Sequence, residues 1–340
     1  MHEYNCNYMK KQKLLKRQNG GKRMVKVDLI TGFLGAGKTT FIHKYISWLR
    51  TRGLKVLVIE NEFGNATIDT KLLQDDDCDI NDLTGCCMCC SGKAKFETML
   101  LNSAHDGYDR VLVEPSGIYD VDEFFSSLFK EDLRDHCEIG SIVTIVDADM
   151  QHDLSDETRY MVFSQLSAAG IILLSKSQLT SPEKVEETRH LICEIMESYV
   201  PGSAAEKEIL AVDWDTFTEE DFAHIAGSGY AFGDHKVKGK GLASHEDTYK
   251  AIPDVMLCRD KDHLNEILDQ LLDTEEYGRI FRLKGHIKDL SGQWYEVNAA
   301  RNGRTIRPVE IKRGMYVIIG EHIDGDKIKQ LFIPKPPRKK

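Results

Sequence analysis

The chain has 340 residues, more than one ordinary core needs and enough for two domains. Its 45 basic and 55 acidic residues leave a net charge of −10. That argues against nucleic acid as the main partner, since a phosphate-binding surface needs a basic field. No apolar run reaches the ~20 residues needed to cross a bilayer. The nine cysteines are odd in number, and four crowd into Cys86-Cys87-Met88-Cys89-Cys90, unlike a secreted disulfide framework. Reduced cytoplasmic thiols with a metal or redox role fit better.

Residues 1–23 carry seven Lys or Arg against one acidic residue and lack the apolar stretch of a secretory signal. They read as a disordered arm, a membrane-surface arm, or an extension upstream of a natural start at Met9 or Met24, with the disordered or non-native reading favoured. Residues 24–226 alternate short β-branched apolar runs with helical patterns. The runs are Val25–Ile30, Lys55–Glu60, Arg110–Glu114, Ile142–Asp147, Ile171–Ser175 and Ile209–Val212. Their continuous apolar character suits strands buried on both faces. Thr39–Arg52, Lys93–Ala104 and Pro182–Tyr199 read as helices between them. This alternation predicts an α/β fold, a doubly wound, mostly parallel sheet of the P-loop NTPase kind.

Residues 227–251 are rich in Gly, Lys and His without an apolar period and read as a linker. Residues 252–333 then offer strands at Val255–Cys258, Arg279–Ile287, Trp294–Ala299, Arg304–Ile311 and Met315–Ile319. Helices are expected at Lys261–Leu272 and Gly325–Phe332, which together predict a smaller α+β C-terminal domain. Trp294 and Tyr295 are expected in its core. The tail 334–340 is basic and proline-rich, and is expected to fray. No internal repeat is present.

The segment Gly32-Phe33-Leu34-Gly35-Ala36-Gly37-Lys38-Thr39-Thr40 follows a predicted strand and opens a predicted helix. This is the GxxxxGK[ST] pattern in the context its chemistry requires. Gly32, Gly35, Ala36 and Gly37 let backbone N–H groups turn inward and approach phosphate oxygens, and the helix N-terminus adds partial positive charge. Lys38 can reach the β- and γ-phosphates, and the Thr39 hydroxyl can ligate Mg²⁺. The plainer alternative is a glycine-rich turn with no ligand. Glu114 ends an apolar strand where P-loop proteins meet Mg²⁺ or its waters, and Gly117 can offer a backbone N–H to the γ-phosphate. Glu114 can equally cap the following helix.

Thiolates suit Zn²⁺, Cu⁺ and related soft ions. A closed structural zinc site needs two separated Cys or His pairs. No second pair accompanies Cys87-Met88-Cys89-Cys90, so this loop offers two or three ligands and suits transfer over storage. A vicinal disulfide, a redox pair and an inert loop are the alternatives. Glu60 and Glu62 follow the second strand, at the same carboxyl edge of a parallel sheet as the phosphate loop. Either can join a metal sphere, and alone the segment reads as a solvated turn.

These motifs, in this order, resemble the CobW-like family of P-loop GTPases, related to HypB and UreG. The residues that match are Thr31 to Thr40, Glu60-Asn61-Glu62-Phe63-Gly64, Gly85 with Cys87-Met88-Cys89-Cys90, and Glu114-Pro115-Ser116-Gly117. Leu283-Lys284-Gly285-His286 and Val317-Ile318-Ile319-Gly320 resemble the family's second domain. The resemblance implies a cytoplasmic GTPase that uses GTP and Mg²⁺, binds Zn²⁺, Co²⁺ or a similar ion, and delivers it to a client metalloprotein or a metal-dependent cofactor pathway. It places the delivered ion on Glu60, Cys89 and Cys90, with Cys87 nearby. It names neither the metal nor the client, and it leaves an oligomer open.

Two departures stand out. Family members read guanine with Asn-Lys-x-Asp after the fifth strand, where this chain has Ser175-Lys176-Ser177-Gln178. Lys176 can still pack its stem on the base. The Gln178 amide offers one acceptor where a carboxylate offers two to guanine, a loss of about 1.5–3 kcal/mol of discrimination. GTP stays the expected nucleotide, with ATP open. Asn65 also stands where relatives often carry another carboxylate, and His224, His235 and His245 are too few for a metal-storing tract and read as solvated loop residues. Hydrolysis alone should be slow, since no cis arginine finger or positioned Gln is evident near the phosphate loop. The competing readings are an ATPase or small-molecule kinase with incidental cysteines, and a non-catalytic switch responsive to nucleotide and metal.

Overall fold

The fold is described from a computed structural model covering residues 24–61, 79–83, 92–231, 249–254, 257–301, 303–311, 314 and 316–332. The arm 1–23, Glu62, Cys86, Cys87, Cys89 and Cys90, His235 and His245, and the tail 334–340 lie outside the described residues.

β1 (Val25–Thr31), β2 (Val56–Glu60), β3 (Asp79–Asp82), β4 (Arg110–Glu114), β5 (Cys137–Asp147), β6 (Ile171–Ser175) and β7 (Ile209–Leu210) form one sheet in the order β3-β2-β4-β1-β5-β6-β7. Every pairing in it is parallel. The helices that connect and cover it are α1 (Lys38–Thr51), α2 (Lys93–His105), α3 (Val121–Leu128), the single turn α4 (Glu131–Arg134), α5 (Asp156–Ala168), α6 (Pro182–Tyr199) and α7 (Glu219–Gly227). Parallel neighbours require crossovers, which is why apolar strands and amphipathic helices alternate.

The central strands are buried along their length because both faces carry helices. On one face, Phe41, Ile42, Tyr45, Ile46 and Leu49 of α1 pack on Ile30, Val58, Leu112 and Ile145. The rings of Phe41, Tyr45, Trp48 and Phe222 extend that packing as a ladder. Each large side chain so buried stabilises the fold by about 1.5–3 kcal/mol. On the other face, Phe96 and Leu100 of α2 and Phe124, Phe125 and Leu128 of α3 cover Val27, Leu29, Ile59 and Val113.

One charged pair is sealed inside this sheet. Arg110 donates from Nε and Nη2 to the two carboxylate oxygens of Asp28, at 2.5 and 2.9 Å. Tyr45 Oη (3.1 Å) and the Ser141 amide (2.8 Å) satisfy the same carboxylate. Burial, then the Asp28 charge, hold the Tyr45 phenol well above its usual range, so it stays a neutral donor.

A second compact unit begins at β8 (Tyr249–Asp254) and continues through β9 (Leu257–Cys258), α8 (Lys261–Asp273), β10 (Arg279–Asp289), β11 (Trp294–Ala300), β12 (Gly303–Val309), β13 (Tyr316–Glu321) and α9 (Gly325–Phe332). Its strands run β12-β11-β10-β13-β8, antiparallel throughout, with β9 pairing β10 in parallel. Leu264, Ile267, Leu268 and Leu271 of α8 and Ile328 and Phe332 of α9 pack on Leu283, Ile287, Val297 and Ile318. Tyr295 joins that core at its margin, and Trp294 is buried.

Three expectations need correcting. The linker expected over 227–251 is structured at both ends: Gly227 closes α7, Tyr230 bridges to Ala169, and Tyr249 starts β8. Within the expected strand Val255–Cys258, Leu257–Cys258 forms β9, and residues 255–256 lie outside the described residues. His224 is an exposed residue of α7 beside Glu208, 2.9 Å away, and not a loop residue.

Candidate functional site

β1 ends at Thr31, and the chain turns through Gly32, Gly35 and Gly37 at φ 145°, 77° and 97° before α1 begins at Lys38. L-residues with side chains avoid these values, which explains the glycines. Gly32 also passes against β5, where an added Cβ would stand 2.1 Å from the Ile145 carbonyl oxygen. The carbonyl of Gly37 accepts from the Phe41 amide, so α1 starts at the loop and its N-terminal end faces into it. Ala36 is buried, Thr40 is exposed on the first turn, and Lys38 Nζ donates to the Gly32 carbonyl at 3.0 Å, across the loop.

Thr39 Oγ1 donates to Glu114 Oε1 at 2.9 Å, tying the first turn of α1 to the end of β4. A hydroxyl and a carboxylate are hard oxygen donors, the set that Mg²⁺ prefers, so these residues fit that ion. Glu60 is the register partner of Glu114 on β2, which puts the two acidic positions side by side at the carboxyl edge of the sheet. Both are buried. The Asn61 amide donates to the Glu114 carbonyl at 2.8 Å, so the chain leaving β2 is fastened to the same strand end. Gly117 sits against the phosphate loop, where an added Cβ would lie 2.6 Å from the Leu34 nitrogen.

Lys176 follows β6 in a left-handed conformation, φ 57°. Its ammonium reaches the Gly35 carbonyl at 3.2 Å and Asp147 Oδ2 at 2.5 Å. Gln178 is exposed on the short 3₁₀ turn Ser177–Leu179. Ser175 and Trp214 flank Gly37, each 3.6 Å from the place a Cβ would take there. The loops after β6 and β7 thus border the end of the phosphate loop nearest α1.

The structure therefore gathers Gly32, Gly35, Ala36, Gly37, Lys38, Thr39, Thr40, Glu60, Glu114, Gly117 and Lys176 along one sheet edge. Cys87, Cys89 and Cys90 lie outside the described residues. The solitary Cys137 and Cys258 are buried, and burial pushes their thiols up to about 12 and about 11. They are poor ligands in that state.

Three residues escaped the sequence reading. Asp147 ends β5 as Glu114 ends β4, and a carboxylate closing an apolar strand was the available signal. Trp214 and Gln165 carried none. Gln165 is a polar residue within α5 whose amide reaches the loop after β4.

A sequence model of the family described as CobW/HypB/UreG, nucleotide-binding domain, matches residues 26–200. The chain is 32% identical over 173 residues to the zinc chaperone YjiA of Escherichia coli (strain K12), covering 48% of this chain and 53% of that protein. It is 24% identical over 331 residues to the zinc-regulated GTPase metalloprotein activator 1 of Schizosaccharomyces pombe, covering 85% and 78% of the two chains. The chain spans about half the length of the first curated relatives it matches. Among solved structures, Zn(II)-bound YjiA GTPase from E. coli aligns over 91% of this chain and 98% of that one, with 18% identity and a TM-score of 0.39.

Proposed function

From the premise that this chain belongs to the CobW/HypB/UreG family, we propose that it is a GTPase whose nucleotide cycle controls delivery of Zn²⁺, or of a similar ion such as Co²⁺, to a client protein. The observation that carries this reading is the register pairing of Glu60 with Glu114. One position belongs to the expected cargo site and the other to the phosphate site, and adjacent strands join them.

The backbone of Gly32 to Gly37 and the start of α1 cradle the phosphates. Lys38 exchanges its bond to the Gly32 carbonyl for the β- and γ-phosphates. Thr39 and Glu114 would hold Mg²⁺ and its waters, and that ion would supply charge neutralisation at the phosphates. Lys176 packs its stem on the base, and Gln178 accepts a hydrogen bond from it. The cargo ion would be held by Glu60 and the thiolates of Cys89 and Cys90, with Cys87 nearby, a three-ligand sphere with an open position through which the ion can be handed on. A change at Glu114 on hydrolysis reaches Glu60 through the strand pairing and through the Asn61 amide. The two nucleotide states then differ in affinity for the ion, which is the coupling free energy that directed transfer requires. The reduced thiols this requires fit the cytoplasm. No helix among the described residues is long and apolar enough to cross a membrane.

The test is a titration of Zn²⁺ and Co²⁺ into reduced protein with GTP, GDP, ATP or no nucleotide, beside a Cys89→Ser, Cys90→Ser variant. Metal affinity should differ between the GTP and GDP states and collapse in the variant. Equal affinity in every state removes the coupling, and unchanged affinity in the variant removes the cysteines from the site. The ATP arm decides how far Gln178 relaxes the choice of base.

A further inference from the structure

The loop Pro115–Asp120 joins Glu114 at the end of β4 to α3, and α5 grips it at its middle and at its α3 end. Gln165, buried beneath it, donates from Nε2 to the carbonyls of Gly117 (3.1 Å) and Tyr119 (3.4 Å). Ser164 accepts from the Val121 amide at 3.3 Å and donates to Asp120 Oδ1 at 2.8 Å. Asp120 in turn caps α3 by accepting from the Asp122 amide at 3.1 Å. α5 is itself pinned to the sheet, because Thr144 Oγ1 donates to the Gln165 carbonyl at 2.7 Å. The other side of the loop leans on Leu34 of the phosphate loop through Gly117.

An apolar residue would fill the place of Gln165 without the desolvation cost of a buried amide. What the amide adds is a fixed position for two carbonyls. A loop already held in place forfeits no ordering entropy when a ligand arrives. On the reading of Gly32–Thr40 as the phosphate cradle, the terminal phosphate would extend from the start of α1 toward the loop that follows Glu114, which Thr39 already touches.

We propose that Gln165 and Ser164 are positioning residues that preset this loop for the terminal phosphate of a nucleoside triphosphate. They act through the loop and touch no ligand themselves. The inference rests on the reading of Gly32–Thr40 as a nucleotide site. It predicts that discrimination between triphosphate and diphosphate depends on α5, while diphosphate binding does not.

The experiment measures affinity for Mg²⁺ with GDP and with a non-hydrolysable GTP analogue, and kcat and KM for GTP, in wild type, Gln165→Leu and Ser164→Ala. Thermal melting confirms that each variant folds. Gln165→Leu should keep its GDP affinity within about twofold and lose about tenfold for the analogue, the cost of one to two ordinary hydrogen bonds. KM for GTP should rise with it and kcat should fall. Ser164→Ala should shift the same ratio in the same direction by about fivefold. An unchanged ratio in folded variants that bind GDP normally overturns the proposal. If Gln165→Leu loses GDP as well, Ser164→Ala decides by the same criterion. Wild-type protein that binds neither nucleotide overturns the nucleotide reading itself, and this inference with it.

Discussion

Replacing Thr39 with valine removes a hydroxyl and keeps a β-branched side chain of the same shape. In the structure that hydroxyl donates to Glu114 at 2.9 Å. A hydrogen bond to a carboxylate contributes about 1.5–3 kcal/mol. Its loss should lower the melting point of a unit of this size by about 3–12 °C. The oxygen keeps its lone pairs for Mg²⁺ while the hydrogen faces Glu114, so the two roles are compatible in one complex. In the presence of Mg²⁺, GTP affinity of Thr39→Val should therefore fall by about 10- to 150-fold. In EDTA the variant and wild type should differ little. Isothermal titration under both conditions is the assay. An equal loss with and without Mg²⁺ would refute the reasoning, because a group acting through the ion cannot matter without it.

Gly32→Ala places a Cβ 2.1 Å from the Ile145 carbonyl oxygen in a backbone conformation, φ 145°, that favours glycine. Strain and overpacking together cost about 2–6 kcal/mol, so a chemical denaturation midpoint indistinguishable from wild type would count against the described loop. Lys207 donates to the Ser167 and Ala169 carbonyls at 2.7 Å, and burial pushes its amine down to about 8. The unfolded chain then holds the extra proton between about pH 8 and 10.5, so this group's contribution is lost as pH falls through 8 and restored above 10.5. Stability should rise across that window by about 3 kcal/mol at most. Lys207→Met should flatten the rise, and a slope identical to wild type would show that the amine does not titrate there.

The path of the phosphate loop was legible because its chemistry is local. Three glycines, a lysine and a threonine at fixed spacing demand one backbone path, and Gly32, Gly35 and Gly37 take positive φ as that path requires. The buried strands were legible because apolar residues on both faces leave a continuous run, and Arg110–Glu114 and Ile171–Ser175 match their predicted limits. The misses lie at sheet edges. β3 reads Asp79-Ile80-Asn81-Asp82, a polar string with one apolar residue, because an edge strand has only one neighbour to satisfy. β8 holds Pro253, which a central strand excludes and an edge strand tolerates. Gln165 was invisible for another reason. Its meaning depends on a loop some 46 residues away in the chain, and nothing in the sequence of α5 announces that meeting.

The sealed pair of Asp28 and Arg110 has a consequence on the scale of descent. The two residues sit on β1, which leads into the phosphate loop, and on β4, which ends in Glu114. Changing either alone strands a buried charge, at a cost of about 3–5 kcal/mol against a total stability of roughly 5–15 kcal/mol. Replacing both by well-packed apolar residues strands no charge, and leaves only the Tyr45 hydroxyl and the Ser141 amide to find another acceptor, at about 1–3 kcal/mol each if they do not. Substitution at these positions is therefore epistatic. A lineage keeps both charges or loses both, and the intermediate survives only on a background already stabilised elsewhere. The strand that presents the phosphate cradle and the strand that presents its carboxylate are bound to a common history as firmly as to a common sheet.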